Sequence, residues 1–166
     1  DQDEMLQALG AKGVLDLRGY SFEQQGAVKL DGDWMFYWNK LISPGENSES
    51  GHEMLMYLPG MWSDSTLSAV KISEYGYGTY HLKVLLPEEF PETFGLRFGF
   101  IGSAARLYVN DQLVYRAGRV GKTSKESIPE WRPAVVDFQT RERELDLLLQ
   151  VSNFHDRTGG VVDSIQ

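Results

Sequence analysis

Between Gly76 and Tyr115, apolar side chains recur at every second position in three successive runs. Tyr80, Leu82 and Val84 share one parity. Leu96, Phe98 and Phe100 repeat it after Pro87-Glu88-Glu89-Phe90-Pro91, and Leu107 and Val109 repeat it before Asn110-Asp111. Period two marks a strand, because successive side chains on a pleated backbone point to opposite faces. The β-branched and aromatic residues in these runs pack well on such a surface. A chain built around this block is expected to fold as antiparallel sheet with one buried face.

The flanking segments extend that pattern. Val14-Leu15-Asp16-Leu17 starts the sheet, and Val28-Lys29-Leu30 before Asp31-Gly32 reads as a strand entering a hairpin turn. Asp33 to Trp38 is an aromatic-rich strand, and Met54 to Leu58 is a short one stopped by Pro59-Gly60. Asn110-Asp111 joins Leu107-Tyr108-Val109 to Leu113-Val114-Tyr115 as a two-residue hairpin, since Asn and Asp tolerate positive φ. Ala134 to Phe138 is a further strand. Leu145, Leu147, Leu149 and Val151 make the last core strand and should pair within the same sandwich.

Ile42 to Glu53 and Gly118 to Trp131 read as long loops, and Asp3 to Leu9 as a short helix stopped by Gly10. About nine or ten short strands with one weak helix imply an all-β fold, an antiparallel β-sandwich of the jelly-roll kind. The 166 residues make one domain, 1–166, with 1–12 as a peripheral segment; at this length roughly two-thirds of the surface is buried.

Composition narrows the partners. Twenty-four acidic against sixteen basic side chains give a net charge of −8, which opposes nucleic acid and anionic lipid. Without cysteine there is no disulfide framework, thiolate metal site or cysteine nucleophile. The chain shows no basic-then-apolar leader, and its longest apolar run, Leu147 to Leu149, is far too short to span a membrane.

No motif points to catalysis. Gly121-Lys122-Thr123 resembles the end of a phosphate-binding loop, but Arg116 stands where its first glycine belongs and no helix follows. His52, His81 and His155 lie far apart, without a second ligand at metal-site spacing, and His81 reads as a solvent-side strand residue. Glu88-Glu89 and Glu142-Glu144 flank turns, where solvated charge is the simplest reading. No cofactor is expected, although an oxygen-rich turn such as Ser63-Asp64-Ser65 could hold a calcium ion.

The aromatics say more. Trp34, Tyr37 and Trp38 belong to a sheet core, whereas Trp62 and Trp131 fall in loops beside Pro59-Gly60 and Arg132-Pro133. An aromatic ring at a loop mouth can stack on a sugar face while polar neighbours bond its hydroxyls; the other reading is that these rings cap the sandwich. Asn153, His155 and Arg157 share a parity at the end of the last strand, where they could bind a ligand or close the barrel end.

Taken together, Leu30-Asp31-Gly32-Asp33-Trp34 with Tyr37-Trp38, Pro59-Gly60-Met61-Trp62, Gly76-Tyr77-Gly78-Thr79-Tyr80, Leu107-Tyr108-Val109-Asn110 and Gln150-Val151-Ser152-Asn153-Phe154-His155 resemble a known family. It is the extracellular sensor domain of bacterial seven-transmembrane receptors with diverse intracellular signalling modules, and the match runs from about Val14 to Gly160. The resemblance implies a galactose-binding-type jelly roll, periplasmic or extracellular, attached through its parent protein to the cytoplasmic membrane. It implies a non-catalytic domain that senses a carbohydrate or other small molecule; a purely structural or dimerisation module, forming a homodimer, is a separate reading.

More loosely, the motif order is similar to the sugar-binding N-terminal domain of β-galactosidase-type glycoside hydrolases, with Asp111 replacing the usual turn glycine. The residues expected to bind ligand are Trp62, Tyr77, Trp131, Arg132, Asn153, His155 and Arg157.

Overall fold

A computed structural model describes residues 11–46, 53–64, 72–156 and 158–166. The helix expected over Asp3 to Leu9, and residues His52, Ser65 and Arg157, lie outside them.

The alternating runs become strands of one large sheet. Its strands are β1 (Val14–Asp16), β2 (Gly32–Trp38), β3 (Glu53–Leu58), β5 (Gly76–Leu85), β8 (Ala104–Val109), β9 (Gln112–Ala117) and β11 (Glu144–Asn153). The spatial order is β3-β2-β5-β11-β8-β9, antiparallel throughout. β1 is the exception, lying parallel to β5 in line with β2, with Leu15 opposite Val84. β11 sits at the centre and pairs over its whole length with β5, as its alternation with the Gly76–Tyr115 block implied.

Two small sheets cover the inner face. One pairs β6 (Thr93–Phe98) with β10 (Ala134–Gln139); the other places β12 (Gly160–Val161) between β4 (Gly60–Met61) and β7 (Ile101–Gly102). Between the layers lies a single core containing Trp34, Phe36, Tyr80, Leu82, Phe98, Leu107, Leu149 and Val151. Each fully buried side chain of this size contributes about 1.5–3 kcal/mol before conformational entropy is subtracted. The Gly-Tyr-Gly start of β5 is part of that packing. A Cβ on Gly76 would come 2.5 Å from the Trp38 ring, and one on Gly78 would strike Phe36, so only glycine lets these rings lie flat on the strand.

The all-β sandwich expected from the sequence is the observed fold. Three details differ. Val28 to Leu30 is not a hairpin arm: the Leu30 amide donates to Ile165 O (2.7 Å) and its carbonyl accepts from Trp34 Nε1 (2.9 Å). β6 leaves its sequence neighbours for the opposite layer. A helical turn, α1 (Phe22–Gln25), is capped by Ser21, whose side chain accepts from the Gln24 amide, while Gln25 Oε1 accepts from the Ser21 amide.

Candidate functional site

The residues expected to bind ligand are dispersed. Trp62 is completely buried in a 3₁₀ turn, not at a loop mouth. Its Nε1 donates to Tyr80 Oη (2.7 Å), and its ring meets Trp38 edge-on at 5.2 Å. Gly159 and Gly160 close over it: added Cβ atoms would lie 2.7 and 3.2 Å from the indole. No ligand reaches this ring in the described arrangement.

Asn153 is also fully buried. Its Nδ2 donates to Glu74 O and Asp156 O (both 2.8 Å), and its Oδ1 accepts from the Asp156 amide (3.1 Å). That turn ends the strand, so the shared parity of Asn153 and His155 is lost. His155 is exposed and its Nε2 lies 3.2 Å from Ser124 O and 3.3 Å from Ser127 O, tying down the long loop. Tyr77 is half-buried on the outer face of β5.

Trp131 and Arg132 do reach the surface. Trp131 is 65% exposed, supported edge-on by Phe100 at 6.0 Å. The backbone of Arg132 is anchored by Tyr115, whose hydroxyl donates to Arg132 O (2.6 Å), and its side chain forks onto Glu130 Oε1 (2.6 and 3.2 Å).

Arg132 lines a depression of about 410 Å³ with Arg106, Arg116, Gly118, Arg119, Ile128 and Glu130. The outer face of the large sheet positions it. Tyr37, Thr79, Gln150, Arg106 and Arg116 form one cross-strand row over β2, β5, β11, β8 and β9. The row is satisfied at one end, where Thr79 Oγ1 donates to Lys40 O (2.7 Å) and accepts from the Ile42 amide (2.9 Å), and Gln150 donates to Ile42 O (2.9 Å). At its other end the loop from Gly118 to Trp131 forms the wall. Arg119 and Ile128 exchange backbone bonds (2.8 and 2.9 Å), and the Glu130 amide donates to Ser103 O (3.0 Å).

The Gly118 amide, above all, and the Arg132 guanidinium hold the Glu130 carboxyl below the usual carboxylate range, with the charge of Arg116 adding to them. Arg106, Arg116 and Arg119 gave no sequence signal as a group, being spread over a hairpin and a loop.

Two of the other concavities contrast in character. One, about 330 Å³, lies on the outer face around His81 and Asp146, whose Nε2 and Oδ1 are 2.9 Å apart. The other, about 260 Å³, is an apolar cleft between the layers, lined by Phe22, Phe94 and Phe138 among others. Among the described residues no cluster of three or more His, Asp or Glu could hold a metal ion, and no helix is long and apolar enough to cross a membrane.

Burial pushes the Tyr80 phenol well above its ordinary pKa. The neutral form is therefore favoured in the folded state. Its contribution to stability is fully present below about pH 10 and is lost progressively as pH rises from there. Denaturant-derived stability measured from neutral to strongly alkaline pH should fall above that point, and Tyr80→Phe should flatten the fall while costing stability at neutral pH.

No protein-family model matches the chain, and no curated protein matches it. Solved structures do. β-Glucuronidase from Ruminococcus gnavus in complex with D-glucaro-δ-lactam superposes with a TM-score of 0.61 at 16% identity, covering 82% of this chain and 28% of that one. The crystal structure of Ruminococcus gnavus β-glucuronidase gives 0.57, 16%, 82% and 27%. The complex with an N1-substituted uronic isofagomine gives 0.60, 15%, 82% and 28%. At these identities the likeness establishes the fold. The chain spans just over a quarter of the length of the enzymes it matches.

Proposed function

We propose that this chain is a non-catalytic ligand-binding module of a larger protein, and that its ligand is a carbohydrate or a similarly hydroxyl-rich small molecule. The observation that carries this is the exposed Trp131 ring, held by Phe100 and flanked in sequence by Glu130 and Arg132 at the rim of the arginine-lined depression. An exposed aromatic face can stack on a sugar ring and charged donors can bond its hydroxyls, and the depression that Glu130 and Arg132 line has the size of a small-ligand site.

The parent protein has two candidate settings. The likeness to part of a β-glucuronidase supports an accessory domain beside a glycoside hydrolase catalytic domain, and it is the more direct structural support. The motif series supports the second setting, a periplasmic or extracellular sensor domain of a membrane-spanning bacterial receptor. There the ligand would act by favouring one arrangement of loops or of paired domains. The sequence following Gln166 in the parent gene separates them: seven apolar spans indicate the receptor, and a (β/α)-barrel pattern indicates the hydrolase.

Thermal-shift measurements against a panel of neutral and acidic sugars test the binding itself. A sugar that stabilises the wild type should bind roughly 10-fold more weakly to Trp131→Ala. The same substitution should change stability by less than about 0.5 kcal/mol, because so much of the ring is in water. If no sugar shifts the transition, the carbohydrate reading is abandoned.

A further inference from the structure

Four of the nine arginines in a chain of net charge −8 line one depression. Arg106 and Arg116 stand directly opposite each other on β8 and β9. Like charges in that position destabilise a sheet. The carboxylate at the rim, Glu130, is already engaged by Arg132 and by the Gly118 amide. Arg106, Arg116 and Arg119 form no ion pair among the described residues. Arg106 Nε is buried and has no hydrogen-bond partner there either, although a buried donor without an acceptor is costly.

The surroundings are fixed. Gly118 sits at φ 68°, and a Cβ there would collide with the backbone of Ile128 and come 3.0 Å from the Glu130 amide nitrogen. With the Arg119–Ile128 bridge, this presents the guanidinium groups on a preformed wall.

One kind of ligand relieves all three costs together. We propose that the depression binds an oxyanion, a carboxylate, sulfate or phosphate, with Arg106 and Arg116 as its principal donors and Arg119 and Arg132 at its rim. Planar guanidinium forks match the paired oxygens of such groups. The inference deepens the carbohydrate reading and rests on it for the rest of the ligand: on that reading, the oxyanion belongs to an acidic saccharide. A free inorganic anion is the other source of the same chemistry.

Calorimetric titration of the protein with glucuronate, glucose, inorganic phosphate and sulfate tests it, using wild type, Arg106→Gln, Arg119→Gln and Trp131→Ala. Arg119 is exposed, so its variant stays informative if Arg106→Gln folds poorly. Glucuronate binding should weaken on the order of 10- to 100-fold in the variants, and should fall with added salt, while glucose gains nothing from the arginines. Phosphate or sulfate binding as tightly as glucuronate, with the same loss in the variants, also supports the oxyanion site and makes a free anion the source.

If glucuronate, phosphate and sulfate bind wild type no better than the arginine variants, the proposal is overturned. A sugar response that depends on Trp131 and ignores both arginines overturns it too, and leaves the carbohydrate reading standing. An anion response that ignores Trp131→Ala supports the oxyanion site and removes the sugar.

Discussion

Replacing Trp62 with alanine is expected to lower the unfolding free energy by about 3–5 kcal/mol, the range for removing a large buried aromatic side chain. The ring has no solvent exposure and packs against Phe36 and Trp38. Its loss also removes the N–H that bonds Tyr80 Oη, inside a core where a stranded polar atom is costly. Gly159 and Gly160 cannot move in to fill the space without breaking the bond from the Trp62 amide to Gly159 O (2.9 Å), which carries β12. For a domain of this size the melting temperature should drop by on the order of 10 °C. Ligand affinity of the molecules that remain folded should be unchanged. Equilibrium denaturation combined with titration well below the transition separates the two effects, and a specific affinity loss with normal stability would return Trp62 to the binding site.

The contrast with Trp131 shows where sequence stops being informative. Both tryptophans lie near proline in segments without periodicity, so local chemistry assigns both to loops. What buries one and exposes the other is distant in the chain: Tyr80 on β5 and Gly159-Gly160 at β12 enclose Trp62, whereas Trp131 meets the edge of Phe100 and stays largely in water. The long strands were legible because their buried faces repeat every second residue over several residues: β5 and β8 follow that alternation over most of their length and β11 over its first half. β4, β7 and β12 are two residues each, too short to carry any period. That three-stranded sheet was invisible for that reason, whereas β6 and β10 were read as strands and only their place in the second layer was missed.

The arginine pair depends on an irregularity. The turn at Asn110-Asp111 sets Val109 opposite Gln112 and Tyr108 opposite Leu113. Continued regularly, that register would put Arg116 opposite Ala105, on the buried face. A shift between Leu107 and Tyr108 instead sets Leu107 opposite Tyr115 and Arg106 opposite Arg116. The extra residue bends the strand and turns the guanidinium group outward, as bulges do where a side chain must be re-aimed. Alternation alone counts residues and cannot register an insertion of one.

Asn153→Ala is expected to destabilise the protein by about 2–4 kcal/mol, since three hydrogen bonds in a buried setting are worth about 1 kcal/mol each and their partners are left behind. The side chain joins the end of the central strand to two separate backbone segments, through Glu74 O and Asp156 O. Its removal frees both at once. The loosened segments also carry Gly159 and Gly160 over Trp62, so Asn153→Ala and Trp62→Ala should couple: the double variant should lose less than the sum of the single losses. Affinity for a ligand at the arginine-lined depression should persist, because that site is held by β8, β9 and the loop bonds to Ser103 and between Arg119 and Ile128. Denaturant titration of the single and double variants measures the coupling. Strict additivity would mean that the strand end and the buried indole are independent, and that Asn153 serves something other than closing the core.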